Sequence, residues 1–78
     1  MTLRKNGNYT ILSAFSFPEL EFEVVLAEND SYKSYVTWIY NIKYDSYFWG
    51  HYFNDYKKAL TDYTERITNE VEIYNAEH

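Results

Sequence analysis

Seventy-eight residues with no cysteine and two histidines exclude a disulfide framework and offer little to a structural metal, so a single hydrophobic core has to hold a single domain together. Twelve acidic against seven basic residues give a net charge of −5, which disfavours binding to phosphate backbones and to anionic membranes. The core material is aromatic: ten Tyr, five Phe and two Trp, rings that each bury roughly 150–250 Å².

Residues 1–8 carry Arg4 and Lys5 without an apolar run behind them. That is neither a signal-peptide nor a membrane-span pattern, so the segment is expected to be flexible and the domain, residues 1–78, to be cytoplasmic. From Tyr9 the pattern has period two, with Tyr9, Ile11, Phe15 and Phe17 on one side and Thr10, Leu12, Ala14 and Ser16 on the other, which predicts a strand. Pro18 cannot donate to a ladder, so Pro18-Glu19 reads as a tight connection. The next strand places Leu20, Phe22, Val24 and Leu26 toward a core and Glu19, Glu21 and Glu23 away from it. Glu28 to Ser31 are residues that bond their own backbone and predict a loop.

In the segment from Tyr35 to Ile42 both alternating sets are bulky, as expected of a central strand covered on both sides. Lys43 to Ser46 form a polar hairpin connection. The chain then returns with Tyr47, Trp49, His51 and Phe53 on one side and Phe48, Gly50 and Tyr52 on the other. A glycine inside a strand marks a bulge or a close approach, and Gly50 is read as making room for a neighbouring ring.

Asn54 or Asp55 is the expected N-cap of a helix whose stripe is Tyr56, Leu60, Tyr63, Ile67, Val71 and Tyr74, with Ala59 on its flank. Asp62, Glu65 and Glu72 fall in one outward sector, extended by Asp55 and interrupted by Lys58. With no glycine or proline to stop it, the helix is expected to fray beyond Tyr74. The sum is an α+β fold: a four-stranded antiparallel sheet followed by one C-terminal amphipathic helix packed on one face.

The chemistry-bearing residues are few. His51 is the only interior base candidate, and its aromatic setting argues for a structural role, so no catalytic residue is assigned and the protein is expected not to be an enzyme. No His, Cys and carboxylate set has ligand spacing, and two distant glycines make no phosphate loop, so neither metal nor cofactor is expected. Tyr35, Tyr47, Trp49 and Tyr52 could stack unpaired bases, yet only Lys33 and Lys43 stand near them to track a backbone.

The segment Val36-Thr37-Trp38, followed by Tyr47-Phe48-Trp49-Gly50-His51-Tyr52-Phe53-Asn54-Asp55 and then Ala59, Asp62 and Arg66, resembles a pattern of short proteins from phages and integrative mobile elements of Gram-positive bacteria. The resemblance implies a mobile-element origin and a bacterial host, not a reaction. By analogy with small acidic proteins of such elements, it implies an anti-CRISPR or anti-restriction type of inhibitor. On this expectation Glu19, Glu21, Glu23, Asp62, Glu65 and Glu72 dock on a basic nucleic-acid-binding surface of a host enzyme, without direct nucleic-acid or membrane binding. The alternatives are a protein-binding or homo-oligomerising domain that uses exposed tyrosines, and an aromatic binder of single-stranded nucleic acid.

Overall fold

The computed structural model describes residues 3–77, and the alternating segments become five antiparallel strands ordered as they occur in the chain. They are β1 (Lys5–Asn6), β2 (Tyr9–Phe17), β3 (Phe22–Asn29), β4 (Tyr35–Asn41) and β5 (Ser46–Phe53), and α1 (Tyr56–Glu77) follows and lies across one face. The strand beyond the expected four is β1. Gly7, at φ 58°, supplies the left-handed first position of the tight turn that pairs Asn6 with Tyr9. Residues 5 and 6, expected to be flexible, are therefore part of the sheet, while Met1 and Thr2 lie outside the described residues.

The central strands are covered on both sides, and two clusters divide their side chains. Val24, Leu26 and Ile39 meet Ala59 and Tyr63 of α1, with Phe17, Phe22, Tyr35, Phe48, Phe53 and Ile67 around them. On the far face Val25, Ala27, Val36 and Trp38 are buried beneath Tyr9, Ile11, Tyr40 and Tyr47. Each fully buried Val or Leu contributes roughly 1.5–3 kcal/mol. No second helix is needed on the far face, because its own rings tile it: Tyr9 meets Trp38 edge-on at 5.2 Å, and Tyr47 packs on Trp38 at 5.3 Å and on Tyr40 at 4.6 Å.

Strict alternation fails at two places, and both are bulges. In β2, Ile11 pairs with Ala27 but Ser13 pairs with Leu26, so Leu12 is the extra residue. The expected common face of Tyr9, Ile11, Phe15 and Phe17 is thereby split: Tyr9 and Ile11 join the far-face cluster and Phe17 joins the helix-side cluster. In β5, Thr37 pairs with His51 and Ile39 with Phe48, leaving Trp49 and Gly50 opposite Trp38 alone. The expected set of Tyr47, Trp49, His51 and Phe53 divides in the same way, with Tyr47 on the far face and Phe53 on the helix side.

Gly50 does make room for a ring. A Cβ there would stand 2.8 Å from Nε1 and 3.0 Å from Cδ1 of Trp38, and 2.9 Å from Cε2 of Tyr52. The glycine is required for space, and the strained backbone falls on its neighbour: Trp49 sits at φ 53°.

Leu20 is not on a strand. Pro18–Leu20 form one turn of 3₁₀-helix closed by a left-handed Glu21 at φ 58°, which leaves Leu20 exposed and starts β3 at Phe22. Proline at the first position, lacking an amide proton, favours that turn over continuation of the ladder. β3 runs on through Glu28 and Asn29, expected in the loop, because both pair in the ladder; from the strand's end Asn29 Oδ1 accepts from the amides of Ser31 and Tyr32 at 2.8 and 3.0 Å. Asp55 is the N-cap, its Oδ1 accepting from the Lys57 amide at 2.9 Å, and α1 continues past Tyr74 to Glu77.

Gly50→Ala is expected to cost about 1–3 kcal/mol, because the rigid indole of Trp38 cannot retreat from a methyl group. Gly7→Ala meets open space and loses only about 1 kcal/mol to its left-handed backbone. Urea midpoints of the two variants should therefore fall in that order. A second check is on acid stability. The Lys5 ammonium, then the Thr10 hydroxyl, hold the Asp30 carboxyl below its ordinary 3.8. The native chain thus keeps Asp30 ionised to lower pH than the unfolded chain does, a contribution complete above about pH 4 and lost as pH falls through the lowered native value. Asp30→Asn should flatten the acid limb of a plot of stability against pH.

Candidate functional site

α1 is rotated about its axis from the orientation its apolar stripe predicts. Ala59, expected on the flank, is fully buried and Tyr63 nearly so, while the stripe residues Tyr56 and Leu60 are 44% and 38% exposed. The line toward the sheet runs along Ala59, Tyr63, Arg66 and Ile67, and brings Asp62 in at its margin. Polar ties account for the rotation. Ser13 and Tyr63 share a hydrogen bond of 2.9 Å, Thr37 donates to Asp62 at 2.5 Å, and Arg66 Nη1 donates to the carbonyl and hydroxyl oxygens of Thr37 at 3.1 and 3.0 Å.

Asp62 therefore does not project outward with Glu65 and Glu72. It receives Thr37 from beneath and His51 Nδ1 from β5, at 3.0 Å to Oδ2 and 3.2 Å to Oδ1. An ionised carboxylate only accepts, so in this contact Nδ1 carries the proton. Burial lowers the pKa of Arg66, and the charges of Asp62 and Glu70 oppose that shift.

An Asp–His pair is half of an acyl-transfer constellation, but the hydroxyl in this cluster lies on the wrong side of the carboxylate. Thr37 is fully buried and gives its proton to Asp62, and no imidazole nitrogen accepts from it. The cluster thus joins helix to sheet and offers no activated nucleophile. Among the described residues no three His, Asp or Glu side chains gather as a metal ion would require, and no helix is long and apolar enough to cross a membrane.

The six carboxylates expected to form a docking surface are scattered. Glu23 lies on the far face, 2.7 Å from Arg4 Nη2, with its Oε1 sealed from water so that this charge is what neutralises it. Burial disfavours the Arg4 cation, yet hydrogen bonds with Glu23 and Tyr47 outweigh that and raise its pKa. Its guanidinium also stands 4.7 Å from the ring centre of Tyr40. Glu19 accepts from the Tyr74 hydroxyl at 2.6 Å, and this bond, followed by burial, raises the phenol's pKa. Glu21, Glu65 and Glu72 remain exposed.

The aromatic candidates are divided as well. Tyr35 packs edge-on against Tyr56 at 5.5 Å, Tyr47 lies under Arg4, Tyr52 covers Gly50, and Trp49 leans on Phe48 at 5.0 Å with 73% of its surface exposed. They make no common platform. Of the expected residues only Trp49 reaches the corner where Leu20, Phe22, Ile39, Asn41, Phe48, Trp49 and Glu70 enclose a cleft of about 250 Å³. Leu20 is shared with a neighbouring hollow of about 170 Å³ walled by Phe17, Pro18, Glu19 and Tyr74. Leucine directly after Pro-Glu was the available signal, since a residue in a turn cannot also serve a strand's buried face.

No family model matches the chain, and no curated protein or solved structure is significantly similar to it.

Removing Asp62 should expose how far it faces inward. Asp62→Ala leaves the buried Thr37 proton without an acceptor and leaves Arg66 with Glu70 alone of its two neighbouring charges, for an expected loss of about 2–3 kcal/mol in urea unfolding. Glu65→Ala, on the outer side of the helix, should change stability by less than about 0.5 kcal/mol.

Proposed function

We propose that this chain is a non-enzymatic protein-binding domain whose partner presents a basic surface. The observation that carries the reading is the pairing of surplus negative charge with exposed large apolar side chains. Among the described residues Glu21, Glu65 and Glu72 are exposed and take part in no ion pair, while Leu20 and Trp49 stand open at one corner. Aromatic and aliphatic anchors supply affinity in protein interfaces, and surrounding charge supplies steering and selectivity.

Enzymes that handle nucleic acid carry basic surfaces of the kind a chain with a net charge of −5 would approach. An inhibitor of such an enzyme in the cytoplasm of a bacterial host, of the anti-CRISPR or anti-restriction type, is accordingly the narrower form of the proposal. Its support is charge together with the resemblance of the Tyr47 to Asp55 segment to proteins of mobile elements. The scatter of the carboxylates favours recognition of a protein surface over mimicry of a phosphate chain, in which charges would follow one line.

Immobilised protein incubated with nuclease-treated bacterial lysate should retain discrete proteins at low salt and release most of them at physiological ionic strength, where exposed charges are screened beyond about 8 Å. Retention of nothing, or retention indifferent to salt, would count against a basic partner.

A further inference from the structure

The cleft at the Leu20 corner lies between α1, which lines it with Glu70, and the hairpin end of β4 and β5. Its floor is core side chain, Phe22, Ile39 and Phe48, all packed in the helix-side cluster. Its walls are the exposed residues Leu20 and Trp49, and Glu70 of α1 and Asn41 of β4 supply its polar atoms. A tryptophan with left-handed backbone is costly, on the order of 1–3 kcal/mol, and such outliers concentrate where a side chain has to be presented. Of the left-handed non-glycine residues Glu21, Asp45 and Trp49, only Trp49 lines the cleft, and it is its most exposed wall.

Size and charge select the occupant. Sites for small molecules and cofactors are enclosed and span roughly 300–1,000 Å³, whereas this cleft is open and about 250 Å³, room for one large side chain. Glu70 lines it, Glu19 lines the adjoining hollow, and the exposed Glu21 follows Leu20 in the chain. Those carboxylates repel an anionic lipid or nucleic acid, and a second copy docked symmetrically would bring the same carboxylates against each other.

Resting on the protein-binding reading above, we propose that the Leu20–Trp49 cleft receives a single large apolar side chain from a partner segment whose flanking residues are lysine or arginine. The apolar side chain enters between Leu20 and Trp49 over Phe22, Ile39 and Phe48, and the basic flanks meet Glu70, Glu21 and Glu19 at the rim.

The test uses the full chain, isotopically labelled, and three peptides: one rich in lysine and arginine with a single central leucine, the same peptide with serine for leucine, and the same peptide with glutamate for each basic residue. With the leucine peptide, amide and methyl resonances of Leu20, Ile39, Asn41 and Phe48 and the Trp49 indole resonance should shift, and the affinity should fall as salt rises. The serine peptide should bind at least about tenfold more weakly, as burial of one large apolar side chain requires, and the glutamate peptide should not bind. Leu20→Ser should lose about the same factor, and Glu70→Gln roughly two- to fivefold. Trp49→Gly, which relieves the left-handed strain, should stay folded and lose leucine-peptide binding. Equal binding of the serine peptide, shifts confined to other surfaces, or no shift with any peptide would overturn the assignment. The broader reading fails separately. If Leu20→Ser captures the same lysate proteins as the unaltered chain, the cleft is wrong and protein binding stands, whereas an unaltered chain that captures nothing removes both.

Discussion

The indole of Trp38 occupies the space where a side chain on β5 would otherwise stand, and β5 accommodates it by setting two residues, Trp49 and Gly50, against that single ring. In an unbroken strand Phe48 and His51 would point to opposite faces, since their positions differ by an odd number. The bulge restores them to one face, so Phe48 can pack in the core while His51 reaches Asp62. Strand phase, the tie between sheet and helix, and the outward display of Trp49 all follow from one steric exclusion.

A comparable device operates on the other side. Leu12 interrupts β2 so that Tyr9 and Ile11 close the far face while Ser13, only two residues on, bonds Tyr63 of the helix. The regular pair β3 and β4 lies between the two bulged strands, as befits strands buried on both sides. Beyond its short pairing with β1, β2 is in effect an edge, as β5 is, and a bulge on each discourages indiscriminate pairing with other chains. The far face is then locked electrostatically: Arg4 bonds Tyr47, neutralises Glu23 and lies over Tyr40, so a residue ahead of the first strand finishes the aromatic layer.

The α+β architecture was legible because β3 alternates cleanly, because β4 is bulky on both sides as a central strand must be, and because the helix repeats at three and four. The role of Gly50 was legible too, since a glycine among aromatics has few other uses. Faces on β2 and β5 were not, because one extra residue inverts every later position and the alternation of Tyr47 to Phe53 looks equally regular in either phase. Asp62 was misplaced for a related reason. Helical periodicity treats all carboxylates as solvent-seeking, whereas the buried hydroxyl of Thr37 needs an acceptor and rotates the helix to obtain one. The Leu20–Trp49 corner was hidden because it joins a turn, a bulge and the second half of the helix, three places that no single periodicity connects.

Spatial order identical to chain order has a bearing on how the molecule comes into being. Every strand pairs with the one made just before it, so the sheet can zip hairpin by hairpin with little loop-closure entropy to overcome. The helix is synthesised after all five strands, however, and until it arrives Phe17, Phe22, Phe48 and Phe53 present a greasy surface with no cover. A ribosome that stalls within α1 would release a strand array primed to clump, which makes the helix a chaperone to the sheet it covers.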